Sequence, residues 1–183
     1  MNPLIKNAFE TLKNENPELR TRAYGQILAA SNQPVDWAYD VWDEMKSNLS
    51  HKNNHMRSIA AQVLSNLAKS DPEKRMLKDF PELLAATKDE RFVTARHSLQ
   101  SLWKIGLAGN EQKEMLLKGL ENCFKECISE KNCTLIRYDI LVLLRRLFDS
   151  SKDEVVKKMA LGWIELEQEE KYKKKYRTVW RKV

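Results

Sequence analysis

Two histidines are the first residues whose spacing suggests chemistry. His51 and His55 stand four residues apart, a separation that can hold a metal ion when both side chains lie on one helix. The segment HKNNH crosses a predicted turn, and no acidic third ligand follows at a recognised spacing. We therefore expect neither a metal site nor a bound cofactor.

Three cysteines form the second group. Cys123 and Cys127 share a helical face, and Cys133 follows the next predicted turn. Their odd number argues against a disulfide framework and is consistent with a reducing compartment. Because cysteine often behaves as a small buried apolar residue, we expect these side chains to serve in packing.

The chain carries no motif of a recognised enzyme class. It lacks a glycine-rich phosphate loop, a nucleophile elbow and a zinc-protease motif. Its carboxylates stand mostly where helix caps and salt-bridge partners are expected. A non-catalytic role is therefore favoured over catalysis, which the sequence leaves open.

Basic residues concentrate at the C-terminus. The net charge is +6, and residues 170–183 hold seven cations and one anion, so the residues before them carry 25 of each. The cations of this basic tail are Lys171, Lys173, Lys174, Lys175, Arg177, Arg181 and Lys182. Tyr172, Tyr176 and Trp180 are interleaved with them, four residues apart, on one helical stripe.

The basic tail has two interpretations. Its cations could neutralise phosphates while its aromatic rings stack on bases, which would make nucleic-acid binding strongly salt-dependent. Alternatively, the rings pack on the preceding helices and the cations stay solvated. The packing interpretation is favoured, because an aromatic stripe on a terminal helix usually faces a core.

The elements that must position these residues are helices. Only five glycines and five prolines occur among 183 residues, and 42% of the chain is hydrophobic, which favours a largely helical single domain over residues 1–183. No apolar run is long enough to span a bilayer, and the N-terminus lacks the pattern of a secretory signal. A cytoplasmic location is therefore expected.

One helical pattern recurs along the chain. In NNHMRSIAAQVLSNLA, residues 53–68, Arg57 is followed by Ala60, Leu64 and Leu67 on one helical face. The positions equivalent to Arg57, here called position zero, are 20, 57, 95 and 137, separated by 37, 38 and 42 residues. This period is close to that of two- or three-helix solenoid repeats.

The pattern resembles the HEAT-repeat family of armadillo-type proteins, in which each second helix opens with an apolar residue and arginine. Leu19-Arg20, Met56-Arg57 and Ile136-Arg137 carry this resemblance over about residues 3–148, and the third copy is degenerate. The resemblance implies an all-α, right-handed α-solenoid of about four helical pairs. The pairs would occupy residues 3–30, 35–68, 72–106 and 111–148.

Local signals add detail to these helices. Pro81 is expected to break or kink residues 72–87 into two short helices, 72–79 and 81–87. Glutamates four residues ahead of lysines, such as Glu167 before Lys171, predict a long C-terminal capping helix that includes the basic tail, residues 153–183.

The HEAT resemblance also implies a ladder of ion pairs. In that family an acidic residue in the turn before the second helix commonly pairs with the position-zero arginine. Glu15, Asp89 and Glu130 could serve here, whereas the turn before Arg57 holds asparagines.

The second helices of a solenoid commonly line a concave binding face. Positions two, five and nine residues after position zero lie opposite the core stripe. They select Arg22, Ile59, Gln62, Asn66, His97, Gln100, Lys104, Asp139, Val142 and Arg146, with Arg96 and Arg145 at the margin. This polar, mildly basic set is expected to form a ligand groove, with an ordinary solvated face as the alternative.

Three functions remain open. The leading hypothesis is a non-catalytic scaffold module that binds a protein or peptide on its concave face. The second is nucleic-acid binding through the same face and the basic tail. The third is a resemblance to HEAT-like alkylpurine DNA glycosylases, for which Asp139 and Tyr138 would supply the carboxylate and aromatic ring. The partner's identity and the oligomeric state are not indicated by the sequence.

Overall fold

A computed structural model describes residues 1–181 of the chain. Within that range the chain forms ten α-helices and no β-strand, which confirms the all-α prediction. The helices are α1 (Pro3–Thr11), α2 (Pro17–Ala30), α3 (Ala38–Asn48), α4 (Asn54–Leu67), α5 (Arg75–Ala85), α6 (Phe92–Ser101), α7 (Asn110–Glu126), α8 (Cys133–Ser151), α9 (Glu154–Glu165) and α10 (Glu170–Val179). They belong to two compact units, here called unit 1 (residues 1–101) and unit 2 (residues 102–183).

Side-chain caps explain where several helices begin. Asn2, Asn16, Asn53 and Asp153 each precede a helix and accept the backbone N–H two residues ahead, at 2.9 Å in every case. Proline follows the first two of these caps, at the helical position where a missing N–H costs nothing. The helix starts therefore follow from local chemistry that is visible in the sequence.

In unit 1 the second helix of each predicted pair contacts its neighbours. Helix α4 packs against α2, α3 and α6, and α1 packs against α2. The apolar face of α4 is fully enclosed, with Ala60, Leu64 and Leu67 at most 2% exposed. The stripe defined by position zero is therefore the core face of α4.

Helix α5 differs from the sequence prediction, because Pro81 lies inside one continuous helix and does not divide it. Pro81 is exposed, and bending there is tolerated because the solvent side of a helix can leave a carbonyl to water. The start is also later than expected. Asp71 accepts the N–H groups of Arg75 and Met76, while Lys74 turns the backbone with a φ of 56°.

Unit 2 begins with a 3₁₀ segment, residues 102–107, that packs against α7 and α8. Gly106 permits this close approach, because a Cβ there would lie 2.9 Å from the methyl groups of Leu147 and 3.2 Å from one methyl of Leu116. Helices α8, α9 and α10 contact one another, and their core includes Leu144 and Val156, both fully buried.

The predicted long C-terminal helix is wrong. The chain forms α9 and α10 with a break at residues 166–169, because Glu167 turns inward and is only 6% exposed. Its Oε1 accepts the N–H groups of Gln168 and Glu169, which ends one helix and prepares the next. The expected pairing of Glu167 with Lys171 is replaced by an ion pair with Arg137.

The other predicted pairs of acid and base in this region are also exchanged. Lys173 binds Glu165 at 3.0 Å and not Glu169. Glu170 lies 3.5 Å from Arg177, and within residues 1–181 no ion pair joins it to Lys174. The break does not separate these two pairs, since Glu169 is the N-cap of α10 and Glu170, Lys173 and Lys174 lie within that helix; Lys173 instead takes a tertiary partner on α9.

The cysteines also depart from expectation. Cys127 and Cys133 form a disulfide across the turn between α7 and α8, with their Cα atoms 5.0 Å apart. That separation lies within the range that a disulfide requires. Cys123 and Cys127 are both buried, as the packing prediction expects, at 8% and 1% exposed.

Candidate binding groove

Arg57, at position zero of α4, forms a bidentate ion pair with Asp89 in the turn before α6. Its Nη2 donates to Asp89 Oδ1 over 2.9 Å, and its Nε donates to Asp89 Oδ2 over 2.5 Å. Its Nη1 donates to the carbonyl oxygens of His51 and Lys52 in the turn before its own helix. The hydrogen bonds from Arg57 hold the pKa of Asp89 below its usual value. The resemblance had suggested Asp89 for such a pair.

Arg137, at position zero of α8, forms the corresponding pair in unit 2. Its Nη1 donates to Glu167 Oε2 over 3.0 Å, and its Nε donates to the carbonyl oxygen of Phe124. Burial alone would raise the pKa of Glu167, but the hydrogen bonds from the Glu169 backbone and from Arg137 lower it. The HEAT resemblance suggested Glu130 as the acid of such a pair. Glu130 is exposed and lies in the turn before α8, whereas Glu167 lies in the turn before α10.

Arg20, at position zero of α2, differs from these two arginines. Its Nη1 donates to the carbonyl oxygens of Asn14 and Glu15 over 3.0 and 3.1 Å, as Nη1 of Arg57 does in its own turn. Across residues 1–181, no carboxylate forms an ion pair with Arg20. Asn53 occupies the turn where Asp89 stands in the next pair, and a carboxamide carries no charge.

A groove of about 440 Å³ opens beside Arg20 on the surface formed by α2, α4 and α6. It is lined by Pro17, Arg20, Thr21, Tyr24, His55, Ser58, Ile59, Gln62 and His97. We call it the unit-1 groove. Arg20 and two imidazoles supply its basic groups, and none of these lining residues is acidic.

A hydrogen-bonded chain fixes the floor of the unit-1 groove. The hydroxyl of Tyr24 donates to Gln62 Oε1 over 2.6 Å. Gln62 Nε2 in turn donates to the backbone oxygen and the hydroxyl of Ser58, each over 3.1 Å. Burial raises the pKa of Tyr24, so its hydroxyl remains a donor at neutral pH. The groove therefore presents a fixed polar surface.

The predicted residues of unit 1 divide into three groups. Gln62 and His97 line the groove. Arg22 is exposed on α2 outside the lining, while Arg96 and Gln100 are half-buried on α6. Asn66 was placed on the ligand surface, and this is wrong for its side chain. It is 1% exposed, and its Nδ2 donates to Ser31 Oγ and to the carbonyl oxygen of Leu28.

In unit 2 the predicted residues are dispersed. Asp139 is 1% exposed, so the carboxylate suggested for base excision does not reach the surface of this unit. Lys104 is half-buried with its Nζ 5.9 Å from the ring of Trp103. Arg145 binds Asp149 and the carbonyl oxygen of Val179, and Arg146 is exposed.

Two of the three aromatic residues of the basic tail pack inward, as the packing interpretation requires, whereas Tyr172 is half-buried. Tyr176 is fully buried and donates its hydroxyl to the carbonyl oxygen of Thr134 over 2.8 Å. Trp180 donates Nε1 to the carbonyl oxygen of Leu141 over 3.3 Å and lies against Phe148. These two side chains attach α10 to α8.

The cations of the tail have several environments. Lys173 and Arg177 bind Glu165, at 3.0 and 2.9 Å. Lys171, Lys174 and Lys175 are exposed on one face of α10, and Lys175 Nζ lies 4.7 Å from the ring centre of Tyr138. Arg181 is exposed, and Lys182 lies outside the described residues.

The histidine pair is not arranged as a metal site. His51 Nδ1 accepts the N–H of Asn53 over 3.0 Å, and His55 lies in the unit-1 groove. Among residues 1–181, no group of three or more histidine, cysteine, aspartate or glutamate side chains could hold a metal ion. Over the same residues, no helix combines the length and apolarity needed to cross a membrane.

The groove includes residues that sequence reasoning had assigned to other roles or passed over. The spacing places Arg20 on the core stripe, and it does not select Tyr24 or Ser58. The sequence does contain a signal for this site. The turn before Arg57, where an acid for Arg20 would stand, holds asparagines.

Comparisons with models of protein families and with curated protein sequences found no match to this chain.

Proposed function

We propose that this chain is a non-catalytic binding module whose unit-1 groove accepts a segment of a partner protein. The observation that supports the proposal is the groove itself, in which three helices present a fixed hydrogen-bonded floor beside a basic wall. Ile59 adds apolar surface between these polar groups. A small concave site with a few oriented polar groups is typical of ligand recognition.

We also propose that the helical pairs of each unit are HEAT-like repeats of an α-solenoid. The support is the repeated use of position zero: Arg57 binds an acid in the turn before α6, and Arg137 binds one in the turn before α10. Helices α9 and α10 then form a pair of their own in place of a capping helix. The right-handed α-solenoid over the whole chain stays a prediction.

The groove can be tested by obstruction. Thr21→Tyr places a bulky side chain on the groove wall, where Thr21 is exposed. Gln26→Tyr is the matched control, because Gln26 is exposed on the same helix outside the lining. Affinity capture from nuclease-treated lysate should retain the same partner protein with wild type and Gln26→Tyr and lose it with Thr21→Tyr. Equal retention by both variants, at unchanged Tm, would remove the groove from the proposal.

A second candidate is nucleic-acid binding by α10. Lys171, Lys174 and Lys175 share one exposed face, and no ion pair joins them to an acid within residues 1–181. The rings of Tyr138 and Tyr172 lie beside these lysines and could stack on bases.

A salt titration tests this candidate. With random single-stranded DNA, the logarithm of affinity should fall linearly with that of salt, and changing the three lysines to glutamine should reduce the slope by about 2. The matched control changes Lys118, Lys131 and Lys158, which are exposed elsewhere on unit 2. An equal loss of slope in both triple variants would indicate a general charge effect and no site on α10.

A further inference from the structure

Three turns of this chain place an equivalent side chain before a second helix. Asn53, Asp89 and Glu167 each accept the backbone N–H two residues ahead, over 2.9, 2.8 and 3.1 Å. Asp89 and Glu167 also bind the position-zero arginine of the preceding pair, 32 and 30 residues earlier. Asn53 stands 33 residues after Arg20 and lines a pocket with it, but it lacks the charge.

The atoms of Arg20 show what is missing. Nη1 of Arg57 and Nη1 of Arg20 both donate to carbonyl oxygens of the turn before their own helix. Nε and Nη2 of Arg57 bind the two oxygens of Asp89. The same two nitrogens of Arg20 meet no carboxylate among the described residues. Arg20 therefore retains the fork that binds a carboxylate in the neighbouring repeat.

Arg20 lines two openings. In a pocket of about 290 Å³ it stands with Asn53 and with the acids Glu15 and Glu44. In the unit-1 groove no lining residue is acidic, so the lining does not repel an anion there. No lysine contributes to the lining, so the groove offers one oriented guanidinium and no dispersed cationic surface. A single bidentate donor suits a carboxylate, whereas a nucleic-acid backbone calls for several phosphate contacts.

We infer that Arg20 binds a carboxylate of the partner, so that an acidic residue from outside completes the ion pair that Asn53 leaves open. This inference rests on the proposed binding function and names the partner's chemistry: an acidic peptide segment that places aspartate or glutamate against Arg20 and an apolar neighbour over Ile59. Arg20 is the specificity-determining residue of the groove.

A peptide titration tests the inference. The probes are two capped hexapeptides, one alternating leucine with glutamate and one alternating leucine with glutamine, and the readout is the Arg20 Nε–H signal in NMR spectra. The glutamate peptide should shift this signal at millimolar concentration and bind roughly tenfold tighter than the glutamine peptide. A third probe, the glutamine peptide with a free C-terminal carboxylate, shows whether Arg20 binds a main-chain carboxylate as well as a side-chain carboxylate.

Asn53→Asp supplies the acid within the chain and is the decisive variant. It should occupy Arg20 and abolish the preference for the glutamate peptide while retaining the fold. Arg20→Gln should lose the same preference, and Lys6→Gln, an equal charge change at an exposed site on α1, should keep it. Asn53→Asp also keeps the test valid if Arg20→Gln fails to fold.

The outcomes separate this inference from the proposed function. Equal binding of both peptides that is lost in Thr21→Tyr overturns the role of Arg20 and leaves the groove in place. An absent shift of Arg20, or a preference that survives Asn53→Asp, also overturns the inference. Displacement of the glutamate peptide by an equimolar single-stranded oligonucleotide would reject an acidic peptide in favour of a phosphate ligand. Binding of the peptides that Thr21→Tyr does not weaken would overturn both proposals.

Discussion

Arginine at position zero connects one helical pair to the next in each unit. Arg57 reaches forward to Asp89 and backward to the turn of its own helix, and both side chains are largely enclosed, at 13% and 5% exposed. Enclosure makes each charge depend on its partner, since an uncompensated buried charge is costly. The pair therefore serves as a fixed connection between α4 and the turn before α6.

Replacing Asp89 with asparagine should destabilise unit 1. Asp89→Asn leaves the Arg57 guanidinium enclosed without its counter-charge, so we expect a loss of about 3 kcal/mol in the free energy of unfolding. Chemical denaturation measures this loss. Glu90→Gln is the control, because Glu90 is 79% exposed at 3.7 Å from Arg57 and should cost at most about 0.5 kcal/mol. Similar losses in both variants would contradict a specific role for Asp89.

Residue spacing located part of the groove and misplaced the rest. Gln62 and His97 were selected by their angle on the helix, and both line it. Asn66 and Asp139 were selected by the same rule and are buried. The angular position on a helix gives the direction of a side chain, but it does not show which neighbouring elements cover that side chain. At Asn66, α2 supplies buried hydrogen-bond partners.

Helix α10 shows why element boundaries were harder to predict than element type. Its glutamates and lysines, read as pairs four apart, favoured one long helix. The tertiary contact between Glu167 and Arg137 overrides that local preference and inserts a turn. The aromatic stripe gave the better signal, since Tyr176 and Trp180 are anchored on α8.

Truncating Trp180 should detach the end of α10. Its ring is 6% exposed, lies 5.7 Å from that of Phe148 and donates to the Leu141 carbonyl oxygen. We expect Trp180→Ala to reduce the free energy of unfolding of unit 2 by about 3 kcal/mol. Lys174→Ala, an exposed change on the same helix, should stay within about 0.5 kcal/mol. Hydrogen exchange of the α10 amides would show whether the loss is local, and unchanged protection in Trp180→Ala would contradict the anchoring role.

Across the whole chain, ion pairs lower the pKa of acids in both units. Hydrogen bonds from Arg57 lower the pKa of Asp89, and those from Lys113 lower that of Asp153. For Asp79 and Glu167 burial opposes the shift, but hydrogen bonds still bring each pKa below its usual value. Each of these acids binds protons less readily in the folded state than in the unfolded chain.

Acid should therefore destabilise the protein. Because the folded pKa values lie below the unfolded ones, the stabilisation is complete above the ordinary carboxyl pKa of about 4 and is lost progressively below it, as pH falls through the lowered folded values. Thermal unfolding between neutral pH and pH 3 should show a falling Tm, and the fall should be shallower in Asp89→Asn, which lacks one of these groups. A Tm that rises on acidification would contradict this assignment.

The all-α class was predictable because composition and helical periodicity act on every residue. The bounds of the helices followed where an asparagine or aspartate cap was present, as at Asn16 and Asp153. The disulfide between Cys127 and Cys133 was not predictable, since it depends on the path of a single turn. The candidate groove was the least predictable feature, because it is formed by side chains from three helices together.

The connections between helical pairs also determine how this chain can fold as it is made. Tyr24 and Gln62 are 38 residues apart, Arg57 and Asp89 are 32, and Tyr176 and Thr134 are 42. Each such bond closes a loop of about one helical pair, so the entropy of closure stays modest and does not grow along the chain. Within each unit, a pair can therefore dock during synthesis as soon as the next has left the ribosome, without waiting for distant sequence.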